Sequence, residues 1–255
     1  MPLLTSPVTE LMRHKFRNST TTPPNPPHKK SAVFEGRGRL GAYTHDPAAF
    51  PPSAVIFYNH FAVAVNDIYP KSSVHTLLLP RPDRNLLHPI EAFEDTAFLA
   101  ATRAESKKLR ALVAKELRRR YGKLSKLEQA RERALNGEVE VPEGEELPPG
   151  RDWESEVMVG IHAHPSMSHL HVHVLSVDRY SECLKTKAHY NSFTTPFFIP
   201  LDAFPLDKDD PRRHPGEGGF LKSDLKCWRC GAEFGRGLSR LKQHLAVEFE
   251  AWKRE

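Results

Sequence analysis

Cysteine is scarce in this 255-residue chain: there are three, and two stand together as Cys227-x-x-Cys230. Three thiols make no disulfide framework, so a reducing compartment is expected. Long apolar runs are missing as well. No stretch approaches the roughly 18 residues a membrane span needs, and residues 1–10 lack the apolar segment of a secretory leader. Neither a membrane protein nor a secreted disulfide scaffold is expected. No internal repeat is visible, which argues against a solenoid.

Proline, by contrast, is abundant: 22 residues, concentrated in 21–27, 51–52, 143–149 and 205–215. These stretches read as loops or linkers. The net charge of +5 and a pI near 9.1 favour a polyanionic partner. Much of the positive charge lies early (Arg13, Lys15, Arg17, Lys29, Lys30), so residues 1–35 read as a basic, mobile tail, with a possible helical turn around Leu3, Leu4, Leu11 and Met12.

From residue 54 the pattern is strand-like. Residues 54–58 and 61–66 form two apolar runs joined at Asn59-His60, a hairpin signal, and 74–79 read as a third strand closed by Pro80 and Pro82. Leu109, Leu112, Val113 and Leu117 recur at helical spacing within 90–120, and a second helix covers 124–135 after a break at Gly122. Residues 120–150 read as an insertion, acidic from 138. Strands follow at 156–162, 169–177 and 193–199. Strands in both halves with helices between them indicate an α+β domain. The expected organisation is a tail over 1–35, a main α+β domain over 36–205, a linker over 206–222 and a small unit over 223–255.

The most informative segment is His169-Leu170-His171-Val172-His173-Val174. On a strand, successive side chains point to opposite faces. The three imidazoles would share one face while Leu170, Val172 and Val174 enter a core. Three readings are open: structural histidines, a metal site, or phosphoryl or nucleotidyl transfer with the central imidazole attacking phosphorus. No carboxylate or cysteine lies close in sequence, which weighs against the metal.

The C-terminal unit has metal-ligand spacing. Cys227 and Cys230 are followed by His244, and Glu248 lies four residues later on the same helical face. This is the pattern of a ββα zinc finger with a carboxylate in place of the last histidine. Phe234 and Leu241 suit its core, and Gly231 its knuckle turn. His214 competes as fourth ligand. A module this small needs its metal to fold, and Arg229, Arg236, Arg240 and Lys242 make it basic, which suits phosphate contact.

These residues resemble a known family. His169–Leu175 matches the histidine triad motif of nucleotide hydrolases and transferases, and 66–71, His75 and 77–80 match its upstream block. Together with 159–167, 184–193 and the Cys-Cys-His-Glu finger, they resemble the aprataxin family over about 38–252, outside the 120–150 insertion. The forkhead-associated domain of animal members has no counterpart here, as in the shorter fungal type. The resemblance implies a histidine triad fold, an antiparallel sheet with helices, plus the finger. It implies a DNA 5′-adenylate hydrolase that removes AMP from abortive ligation intermediates in single-strand break repair. His171 would be the nucleophile, with His173, His162 and Ser166 stabilising the transition state and His169 in support. Asp67 would bind the ribose, and Leu40 and Tyr43 would line the base pocket. His75, Lys185 and His189 would lie near the phosphate and the DNA end. Asp178 would order the loop after the triad, and Cys183 would pack. One zinc ion, structural and held by Cys227, Cys230, His244 and Glu248, is implied, with none for the chemistry. DNA nicks and adenylated ends are the expected partners, AMP the product, a monomer the expected state and the nucleus, or nucleus and cytoplasm, the location. The rivals are a general nucleoside phosphoramidate or dinucleotide hydrolase and a non-catalytic nucleic-acid-binding finger protein.

Overall fold

The computed structural model describes residues 34–142 and 144–255; the basic tail and its possible helical turn lie outside them. A six-stranded, fully antiparallel sheet forms the centre. Its strands are β1 (Val55–Tyr58), β2 (Ala62–Asn66), β3 (His75–Pro80), β4 (Val157–His162), β5 (Val172–Ser176) and β6 (Phe198–Pro200), ordered β1-β2-β3-β5-β4-β6. The β1–β2 turn is set by Asn59, whose side-chain oxygen accepts from the backbone of Phe61 and Ala62. Such Asx contacts are what make asparagine a turn residue.

Helix α1 (Gly41–His45) precedes the sheet, and α2 (Pro89–Ala92) is a single turn. Helix α3 (Thr96–Tyr121) is capped by Asp95, whose carboxylate accepts from the Phe98 N–H. It lays Phe98, Leu99, Leu109, Val113 and Leu117 against one sheet face, where Ala62, Ala64, Leu78, Val172, Val174 and Ile161 complete the core. Alternation then fixes the other face. Val63, Val65, His75, Leu77, His173, Gly160 and His162 must point away from α3. The register seals this, with His173 standing beside Leu77 on β3 and Gly160 on β4.

Two sequence expectations need correction. The strand expected over 169–177 begins only at Val172, because the Leu170 N–H is taken by the Asn85 carbonyl and not by a neighbouring strand. Only His173 of the triad therefore lies in the ladder. The strand expected over 193–199 is replaced by helix α5 (Lys187–Thr194) and the short β6. The Thr186 hydroxyl caps that helix by accepting from the His189 N–H, and Pro196 prevents its continuation.

Helix α4 (Lys126–Leu135) lies within the segment read as an insertion and is anchored at its N-terminal end. Ser125 caps it, while Lys126 and Leu127 donate their N–H groups to the carbonyls of Arg254 and Glu255. Buried Glu128 accepts from Arg118, from the Arg151 backbone and from the Trp153 indole. A buried carboxylate is tolerated only when satisfied in this way.

The finger comprises β7 (Leu225–Lys226), β8 (Glu233–Gly235) and α6 (Leu238–Trp252). Its small core of Leu225, Cys227, Leu241 and Leu245 is completed by Leu184 and Tyr190 from the catalytic side. One turn further along α6, Phe249 and Trp252 join the main core. Trp252 donates to Glu156, and Arg151 stacks on both Trp153 and Trp252. No helix among the described residues is long and apolar enough to cross a membrane.

Candidate active site

The histidines on the sheet face turned away from α3, together with His171 just before β5, converge. Ring centroids lie 4.4 Å apart for His162 and His173, 4.9 Å for His171 and His173, and 5.2 Å for His75 and His173. His75, His171 and His173 are only 4–5% exposed. Burial is the main reason their basicities are depressed: His75 falls to about 4, and His171, His173 and His162 lie below the ordinary imidazole value. At neutral pH these rings are neutral, so each carries one N–H and one lone pair.

Backbone contacts dictate which nitrogen carries the proton. The His171 Nδ1 lies 2.8 Å from the His169 carbonyl, which can only accept. Nδ1 therefore bears the hydrogen, and Nε2 keeps its lone pair for attack. The Lys71 N–H lies 3.1 Å from the His75 Nδ1 and can only donate, so this nitrogen accepts. His75 Nε2–H then donates to His173 Nδ1 at 3.0 Å. The proton of His173 is thereby placed on Nε2, which is buried and has no partner among the described residues. The buried Nε2 of His162 also lacks a partner. Buried polar atoms in folded proteins are nearly always satisfied. Two orphans beside a neutral imidazole with a free lone pair describe a cradle for a polar, anionic group.

The remaining sequence-predicted residues divide into those that join this cluster and those that do not. Asp67 joins: its Oδ2 is 3.4 Å from His75 Nδ1, and Asp67, His75 and His173 bring ligand-type atoms within 4.8 Å of one another. Its other oxygen accepts from the Tyr69 N–H, fixing the loop. Leu40 and Tyr43 pack on Val55, Val63, Val65, Leu77 and Leu79, an apolar patch on the histidine face. Burial and then the charge of Asp67 push the Tyr43 phenol up, so tyrosine and carboxylate are neighbours. His189 is half-buried and its Nδ1 accepts from the Lys185 N–H; burial and then Lys71 hold it below the ordinary value. Lys185 itself is exposed. Ser166 is exposed on the loop between β4 and the triad, where its carbonyl accepts from Arg37, and no contact ties its hydroxyl to the histidines. His169 lies off the strand against Gly41, where a Cβ would meet its ring at 2.5 Å; glycine alone permits that approach.

Two contributors were not singled out from sequence, and a third does more than the sequence suggested. The charge of Lys71 acts on His75, His162 and His173, but its reach depends on a loop fold that spacing cannot reveal. Phe193 touches three of the imidazoles, at 5.5 Å from His75, 4.6 Å from His162 and 5.1 Å from His173. Its assignment to a strand concealed this. Asp178 reaches further than its own loop: it accepts from Ser73 N–H and hydroxyl, the Ser176 hydroxyl and the Tyr180 N–H, tying the Lys71–Ser73 loop to the triad strand.

In the finger, ligand atoms of Cys227, Cys230, His244 and Glu248 all lie within 4.8 Å of one another. Cys230 Sγ and Glu248 Oε1 are each 3.2 Å from His244 Nε2. Tetrahedral zinc with bonds of about 2.0–2.3 Å needs ligand separations of about 3.3–3.8 Å, so the donor set fits zinc. His214 is not part of the cluster. The second oxygen of Glu248 accepts from Arg229 at 2.6 Å, and that guanidinium holds the carboxyl below its usual range. Arg229 also reaches Glu255, and Arg240 donates to the Phe234 carbonyl. The basic finger face read from sequence is therefore narrower, with Arg229 committed to the ligand shell.

Comparison with known proteins agrees with this construction. A HIT domain model matches residues 50–180, and a model described as a C2HE / C2H2 / C2HC zinc-binding finger matches 194–251. An aprataxin-like protein of Schizosaccharomyces pombe is 36% identical over 229 residues, covering 88% of this chain and 86% of that protein. The aprataxin-like protein of Saccharomyces cerevisiae is 30% identical over 84% of this chain and 96% of its own. Among solved structures, the aprataxin ortholog Hnt3 in complex with DNA superposes with a TM-score of 0.65 at 30% identity, covering 85% of this chain and 96% of that one. Hnt3 in complex with DNA and guanosine gives 0.64 with the same coverage. Identity over nearly the whole length, reaching through both the sheet and the finger, places this chain in the aprataxin family of histidine triad proteins.

Proposed function

We propose that this protein is a DNA 5′-adenylate hydrolase acting through a covalent adenylyl-histidine, as a monomer in nuclear single-strand break repair. The observation that carries the reading is the pairing of a lone pair on His171 with two unpartnered buried imidazole nitrogens, on His173 and His162. In the first step His171 Nε2 attacks the α-phosphorus. A P–N bond forms, the anhydride P–O bond breaks, and the 5′-phosphorylated DNA end departs. Charge gathers on the phosphoryl oxygens, where the His173 N–H, His162 and Lys71 can receive it. The proton on His171 Nδ1 stays with the His169 carbonyl, so the adenylated ring is a cation. That makes it a good leaving group for the second step, in which water attacks phosphorus, the P–N bond breaks, AMP leaves and one proton passes to solvent. Asp67 accepts from the ribose hydroxyls, and Leu40 and Tyr43 flank the base. Ser166, Lys185 and His189 belong to the side where the DNA end would lie.

One zinc ion bound by Cys227, Cys230, His244 and Glu248 supplies a structural cross-link and takes no part in the reaction. DNA is held by its phosphates, in keeping with the relatives solved on DNA. A relative has been solved with DNA and guanosine, so guanylylated ends are a second substrate to test. The test is incubation with adenylated nicked DNA, labelled in the AMP, followed by acid-free trapping of protein. AMP release with a labelled adduct on the wild type, and neither on His171→Ala, is the expected result. Release without any adduct would exclude the covalent route, and absence of both would reject the function.

A further inference from the structure

Helix α5 faces two ways. Phe193 packs on His75, His162 and His173. Three residues earlier, and so on a neighbouring stripe of the helix, Tyr190 is fully buried in the finger core. Its hydroxyl donates to the Lys226 carbonyl at 2.9 Å and accepts from the Trp228 N–H at 2.9 Å. Both partners flank the metal ligand Cys227. Asn191, between them, donates to the carbonyls of Leu221 and Ser223, just before β7.

A second strut runs parallel. Arg179 follows the triad strand, in a left-handed backbone conformation (φ 42°) that a non-glycine residue rarely adopts. Its guanidinium is buried. It donates to the Val177 carbonyl and, at 3.2 Å, to the Phe193 carbonyl, and it sits 5.2 Å over the Trp228 ring. A strained backbone and a buried cation persist only where the surroundings hold them. Here one side chain joins the strand of His173, the helix of Phe193 and the metal-bearing knuckle.

We propose that Tyr190 and Arg179 are positioning residues through which the knuckle sets Phe193 against the catalytic histidines, so that the finger governs turnover as well as grip on DNA. The inference rests on the hydrolase reading above and on zinc in the finger. Coupling of this kind is reciprocal: a knuckle that orders α5 must itself be held by α5.

The experiment uses the full-length, zinc-loaded protein and adenosine 5′-phosphoramidate, a substrate too small to touch the finger. Tyr190→Phe keeps the ring and removes only the hydroxyl; Arg179→Gln and Trp228→Leu remove the second strut. For Tyr190→Phe we expect kcat to fall about tenfold with KM within twofold, at a temperature where thermal scans show the variant folded. Zinc release to a chromogenic chelator should quicken severalfold, and the amides of α5 should exchange faster. The strut variants should share this signature. A role confined to stability would lower Tm and leave kcat of the folded protein unchanged. Unchanged kcat in all three variants, whatever the rate of zinc release, would overturn the proposal. If the wild type hydrolyses neither the phosphoramidate nor adenylated DNA, the hydrolase reading has failed, and zinc release with α5 exchange still decides the coupling.

Discussion

The histidine face of the sheet and the finger solve the same problem, holding ring nitrogens in fixed places, by opposite means. On the sheet, His162 and His173 are pinned by strand register and their neighbours by backbone donors and acceptors. Burial keeps the rings neutral. In the finger, Cys227, Cys230, His244 and Glu248 come from a short hairpin and a helix whose core is borrowed from Leu184 and Tyr190. The first arrangement exists once the chain has folded. The second gathers two thiols and a carboxylate that repel or compete unless a cation unites them. Catalytic geometry in this molecule is therefore built into the sheet, and the finger's geometry is conditional.

The sharpest separation of the two regions is expected from their central residues. With His171 as the nucleophile proposed above, His171→Ala should lower turnover of adenylated DNA by about 10³-fold or more, since only binding and electrostatics would remain. Its DNA affinity, by filter binding, should stay within a few-fold. Cys227→Ala should do the reverse to stability. Phe249 and Trp252 of the finger helix belong to the main core, so loss of the metal should lower Tm by more than the roughly 4 °C that a small change of about 1 kcal/mol produces in a domain of this size. A finger that unfolded in a separate, earlier transition, leaving the catalytic Tm untouched, would show that the borrowed core does not couple them.

Acid provides the next largest effect, and its sign follows from the depressed histidines. His75, His162, His171 and His173 bind protons more weakly in the folded state than in the unfolded chain. Between the unfolded value of about 6.5 and the folded values, the unfolded state holds more protons. Stability is thus complete above about pH 6.5 and is lost as pH falls toward about 4, where His75 titrates. Each histidine adds up to about 1.4 kcal/mol per pH unit. Urea titrations at pH 7.5, 6 and 5 measure this. His75→Gln should flatten the slope. A profile that is flat from pH 7.5 to 5 would mean the imidazoles are not buried neutral.

How much of this contrast was legible in the sequence follows from the range of the forces involved. The hairpin at Asn59, the α3 stripe and the finger spacing are local patterns, and they read correctly. The sharing of one sheet face by His75, His162 and His173 was not read from sequence, because alternation orders side chains within a strand while register decides which face neighbouring strands share. The triad was misread at its first two members because Leu170 bonds to Asn85, a contact 85 residues away in sequence. Helix α5 went unread and its last two residues were assigned to the strand over 193–199, because Phe193, Phe197, Phe198 and Ile199 look extended while the Thr186 cap that starts the helix lies seven residues upstream of Phe193. Lys71 and Phe193 act on the histidines only once the loop before β3 and helix α5 have packed against the sheet, and no spacing announces that.

The smallest predicted effect distinguishes cations that look alike in sequence. Arg229, Arg236, Arg240 and Lys242 all make the finger basic, yet their surroundings differ. Arg229 is bound to Glu248 and Glu255, and Arg240 is bent onto the Phe234 carbonyl. Arg236 is exposed, and Lys242 has only a loose 3.6 Å pairing with the largely exposed Glu182, which solvent screens. Each cation that neutralises a phosphate contributes about 0.9 to the slope of log affinity against log salt. Arg236→Ala and Lys242→Ala should each weaken DNA binding severalfold and lower that slope by about one. Arg229→Ala should leave the slope unchanged and speed zinc loss, because its charge is already spent on the carboxylate that holds the metal. Should Arg229→Ala reduce the salt slope as much as Lys242→Ala does, the arginine must leave Glu248 to meet DNA, and the finger's metal shell would then be part of its grip.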